Sequence, residues 1–110
     1  MNKVVLELDY LCGPIVKNIF DPIKAELCTG ISVIDSNPKI QLLNDNIQKN
    51  YASIYDFDKD GKAVSFNLDK AKEIKVVLLS ETKELIQCIK NANDGSFLVV
   101  DNITKEIEKW

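Results

Sequence analysis

At 110 residues the chain suits one domain, and at this size folding buries roughly two-thirds of the unfolded surface, so an aliphatic core needs no staples. All 14 basic residues are lysine, there is no Arg or His, and the formal net charge is −3. That balance argues against nucleic acid as a partner, because phosphate recognition wants a basic stripe and usually arginine forks.

In chain order, residues 3–9 read KVVLELD, which predicts a strand with Val4, Leu6 and Leu8 on one face and Val5, Glu7 and Asp9 on the other. Gly13-Pro14 breaks it. Residues 15–28 are open between two readings: a turn at Phe20-Asp21-Pro22, followed by a short helical stretch or by the run-in to a strand. Residues 29–35, TGISVID, predict a second strand through the alternation of Ile31 and Val33 with Ser32. Ser36-Asn37-Pro38 is a helix start, a polar cap followed by a proline whose missing N–H does no harm. Ile40, Leu43, Ile47, Tyr51 and Ile54 then recur at three or four, giving an amphipathic helix over 38–54.

Residues 55–61, YDFDKDG, end that helix, and 62–67 form a short strand or an extended connection. A second helical pattern covers 68–92 behind Asn67, with Leu68, Ala71, Ile74, Leu78, Leu85 and Ile89 near one face. Its run Lys75-Val76-Val77-Leu78-Leu79 also fits a strand. Asn93-Asp94-Gly95 terminates it, and 96–101, SFLVVD, is a third strand. The tail from about 102 reads as loosely held, with Trp110 as its anchor. The expected fold is a single α+β domain: a small three-stranded sheet covered on one face by two antiparallel helices.

Little here speaks for catalysis. Without His, a Ser or Cys nucleophile lacks its usual base. Cys12, Cys28 and Cys88 show no metal or redox spacing and read as buried small hydrophobes, reduced in the cytoplasm. No stretch approaches the roughly 18 apolar residues of a membrane helix, and no glycine-rich phosphate loop occurs, so neither a membrane nor a cofactor is expected. Asp56-Phe57-Asp58-Lys59-Asp60-Gly61 opens like a calcium loop, but its ninth position is Val64 and its twelfth is Asn67 where a bidentate Glu belongs. The expectation is therefore no metal and no enzyme, with a binding role in its place.

Aromatics beside acids can anchor a basic protein surface. Tyr55, Asp56, Phe57, Asp58 and Asp60 form the first such patch, and Glu7, Asp9 and Tyr10 the second. The plain alternatives are a solvated turn with a ring folded back on the helices, and the wet face of a strand. Four segments, DYLCGP at 9–14, TGISVID at 29–35, YDFD at 55–58 and NDGSF at 93–97, together resemble small bacterial immunity proteins of contact-dependent growth-inhibition and related polymorphic toxin systems. The resemblance implies a cytoplasmic protein that binds and neutralises one cognate toxin domain, often a basic nuclease, and it carries over no individual residue. The competing reading is a small regulatory or cation- or ligand-binding domain that uses the acidic 56–61 loop.

Overall fold

The computed structural model describes residues 2–9 and 12–110, and among them six short strands and four helices form an α+β arrangement. The first strand, β1 (Asn2–Leu6), buries Val4 and Leu6 and turns Lys3 outward, as its alternation requires. It pairs in parallel with β6 (Phe97–Asp101), Asn2 opposite Phe97 and Leu6 opposite Asp101. Leu6 also bridges antiparallel to Ile15, flanked by hydrogen bonds from Glu7 N to the Pro14 carbonyl and from Val16 N to the Val5 carbonyl.

The expected three-stranded sheet is not what forms. The strands make three separate two-stranded ribbons: β1 with β6, β2 (Ile19–Asp21) with β3 (Glu26–Cys28), and β4 (Tyr55–Phe57) with β5 (Ala63–Phe66), the last two antiparallel. Residues 29–35 also differ from the predicted strand. There the Asp35 carboxylate accepts from the Thr29 amide at 3.0 Å, the Thr29 hydroxyl at 2.8 Å and the Gly30 amide at 3.0 Å. Six residues of extended chain would put those groups about 20 Å apart, so the segment curls into a one-turn helix, α1 (Ser32–Asp35), and buries Ile31 and Ile34.

The two long helices arise where the sequence places them. In α2 (Pro38–Ala52) the Asn37 side chain accepts from Ile40 N at 3.1 Å and Pro38 opens the first turn. In α3 (Leu68–Ala92) Asn67 does the same for Lys70 N at 3.1 Å. The 75–79 run is helical: Leu78 is fully buried while Val76 is 77% exposed, so the β-branched pair faces water and the 3.6-residue period holds. Ile40, Leu43 and Ile47 of α2 share one core with Leu78, Leu85 and Ile89 of α3, with Val4 and Leu6 of β1, and with Phe97 of β6. Each such side chain contributes about 1.5–3 kcal/mol of transfer free energy. Ile54, expected in the helix, lies just beyond it and is also fully buried.

The tail departs from its expected looseness. The Asp101 carboxylate accepts from the Ile103 and Thr104 amides and the Thr104 hydroxyl, which starts a fourth helix, α4 (Thr104–Glu108). Ile103 and Ile107 then enter the core with no exposure. Lys75 Nζ on α3 donates to the Glu108 and Trp110 carbonyls at 3.0 and 2.9 Å. The sequence reading missed this because four charged side chains mask two isoleucines spaced four apart.

Candidate functional site

The 55–60 segment is the first strand and the turn of the β4–β5 hairpin, and its groups are largely engaged within the molecule. The Tyr55 ring packs edge-on to Tyr51 at 5.5 Å and to Phe66 at 5.4 Å, and the Tyr51 and Tyr55 hydroxyls lie 2.8 Å apart. Trp110 stacks on Tyr51 and leans on Phe66, closing an aromatic cluster between α2, the β4–β5 ribbon and the tail. Burial first, and then the Tyr55 hydroxyl, push the Tyr51 phenol well above its ordinary value of 10.0. Asp56 receives the Ser65 hydroxyl at 3.2 Å and Lys70 Nζ at 3.5 Å. Asp58 Oδ1 accepts the Asp60 and Lys62 amides, both at 2.9 Å, in a turn where Gly61 takes φ +79°. Its carboxylate thus builds the turn of the acidic 56–61 loop. Phe57 is about half exposed, and Asp60 lies at the surface. Among the described residues no three His, Cys, Asp or Glu side chains converge as a metal cluster.

The second patch is split. Tyr10 lies outside the described residues. Glu7 and Asp9 are exposed and line a cleft of about 400 Å³. Leu8, Ile15, Val16 and Leu27 give that cleft its apolar lining, and Asp45 of α2 adds a third carboxylate. Asn44 builds the floor. Its Oδ1 accepts from Ile15 N at 2.8 Å, and its amide lies so close to Gly13 that any Cβ there would overlap it. The one lysine lining the cleft, Lys17, donates to Gln41 Oε1 at 2.6 Å. Cys12, expected to be buried, sits exposed at the cleft edge because Gly13-Pro14 turns the chain inward only at Pro14 and Ile15.

Beside the cleft stands a surface that the sequence reading left undecided. In the β2–β3 ribbon Phe20 faces Leu27 across the strands, 61% and 55% exposed, and Ile23 at the tip is 94% exposed. The Asp21 carboxylate shapes the tip by accepting from the Ile23 and Lys24 amides, and Ala25 takes a left-handed φ of 55°. At the base Ile19 lies against Gly30, whose φ of +77° and missing Cβ leave room for it. The signal was present as two short apolar runs on either side of Asp21-Pro22, a turn dipeptide.

Comparison of the chain with family models, with curated proteins and with solved structures finds no match. Among the described residues no helix is long and apolar enough to cross a membrane.

Proposed function

We infer that the chain is a bacterial immunity protein, acting in the cytoplasm, that holds one cognate toxin domain in a one-to-one complex and blocks it without turnover. The observation that carries this reading is the β2–β3 ribbon. An isolated two-stranded ribbon is marginal in water, and among the described residues β2 and β3 pair only with each other. Yet this ribbon turns Phe20, Ile23 and Leu27 to solvent. Large apolar side chains clustered on a projecting element suit a protein contact, where they become buried anchors. The net charge of −3 favours a cationic partner, such as a nuclease domain that itself binds a polyanion. Glu7, Asp9, Asp60 and the exposed edge of Phe57 extend the acidic and apolar surface available to it.

The test is co-expression with the toxin domain encoded beside this gene. The expected outcome is a stable one-to-one complex and rescue of growth. A toxin domain that neither co-purifies with the chain nor loses its toxicity overturns the reading.

A further inference from the structure

We propose that the cleft at the foot of the β2–β3 ribbon receives a lysine or arginine side chain of a protein partner, flanked by apolar residues that lie along the ribbon. The proposal deepens the immunity reading and rests on it for the partner's identity, but not for the chemistry of the cleft. Two properties of the cleft select this occupant. Its lining is aliphatic, from Leu8, Ile15, Val16 and Leu27, which suits the methylene stem of a long cation. Its charge is lopsided: three carboxylates, those of Glu7, Asp9 and Asp45, line it against the one ammonium of Lys17, which donates to Gln41. Among the described residues neither Glu7 nor Asp45 forms an ion pair with a lysine of this chain.

The volume of about 400 Å³ lies within the range of clefts that hold small ligands, so a single side chain fits with space beside it. A second copy of the chain is a poor occupant, since its net charge of −3 is repelled by the same carboxylates. The apolar hairpin supplies area next to the charge, the combination found where a desolvated cation becomes a hot spot. Asn44 holds the floor in place through the Ile15 amide, so the cleft is formed before the partner arrives.

The experiment is an amide chemical-shift titration of the full chain with acetyl-Leu-Lys-Leu-amide, and with the same peptide carrying norleucine or Glu at its centre. The lysine peptide should give saturable shifts at Leu8, Val16 and Leu27, with a Kd of about 1 mM, while the norleucine and Glu peptides bind at least about tenfold more weakly. Combining Glu7→Gln with Asp45→Asn should weaken the lysine peptide about fivefold or more, and Glu73→Gln on α3 should leave it unchanged. Equal binding of the lysine and norleucine peptides, shifts confined to other surfaces, or no shift up to about 10 mM overturns the proposal. Ribbon shifts that track protein concentration without any peptide also overturn it, in favour of a second copy. The same double variant tested on the toxin separates the two readings. Unchanged toxin affinity removes the cleft and leaves immunity standing. Peptide binding intact with no toxin complex removes immunity and leaves the cleft.

Discussion

Thr82 sits fully buried on α3, and among the described residues its hydroxyl meets no hydrogen-bond partner. A buried hydroxyl without a partner costs about 1–3 kcal/mol, and valine has nearly the same shape. Thr82→Val should therefore raise stability by about 1 kcal/mol, read as a higher urea midpoint with an unchanged slope. Asp101 gives a pH-dependent case. Burial alone would push its carboxyl up, but the donors from Thr104 and Ile103, with Lys90 nearby, more than reverse this and hold it below 3.8. A folded-state value lowered in this way stabilises the fold above the unfolded value of about 3.9, and that stability is lost as the pH falls through the folded value. Below about pH 4 the native chain should therefore lose stability more steeply than Asp101→Asn, which is already weaker at neutral pH. Of the three thiols, Cys12 alone is exposed, so it should react first with a thiol reagent under native conditions. None of these three properties was legible beforehand. Each depends on which neighbours a side chain meets after folding, and residue type alone misplaced Cys12 in the core.

At the scale of elements the sequence was most informative where a period ran long. Asn37-Pro38 and Asn67 start α2 and α3 by hydrogen bonds to the third residue beyond, which is a purely local arrangement and readable as such. The short elements were harder, because a few side-chain contacts outweigh the period of so short a run. Residues 29–35 alternate like a strand, and only the Asp35 carboxylate meeting the Thr29 and Gly30 amides makes them helical. Residues 75–79 posed the reverse problem, with strand-like composition inside a helix. Val76→Ala tests this sign directly: on an exposed helical face it should gain about 0.5 kcal/mol, whereas in a strand it would lose. The β2–β3 ribbon carries the binding prediction. Phe20→Ala should leave the circular dichroism spectrum intact, because the ring lies mostly in water, and should speed toxin dissociation by about 2 kcal/mol if the ring is an anchor. The 55–60 segment should be less sensitive, since Tyr55 and Asp58 act within the fold.

As a whole the molecule is a helix pair with ribbons attached, rather than a sheet with helices laid on it. Its radius of gyration is 14.6 Å, against about 13 Å for a compact chain of this length, which fits ribbons that stand out from the core. The α+β class was legible from the alternation of periods in the sequence. The sheet arrangement was not, because strands of three to five residues carry too few alternations to name their partners. The acidic cleft was half legible. Glu7 and Asp9 stood out in the sequence, but Asp45 and Leu27 reach the same cleft only because the 13–16 segment folds back along β1 and is pinned by Asn44.

The parallel pairing of β1 with β6 joins the two ends of almost the whole chain. Closing so large a loop is entropically expensive and is rewarded only when the intervening helices already stand. The order of events expected from that topology has α2 and α3, joined by a short hairpin, as the nucleus, with the first strand docking after the rate-limiting barrier. Leu85→Ala should therefore slow folding, while Val4→Ala should leave the folding limb of the chevron almost unchanged and raise the unfolding rate. A newly made chain would then carry its finished helical centre before residues 2–6 find their place, so the cleft that Glu7 and Asp9 line would be the last part of the surface to be completed.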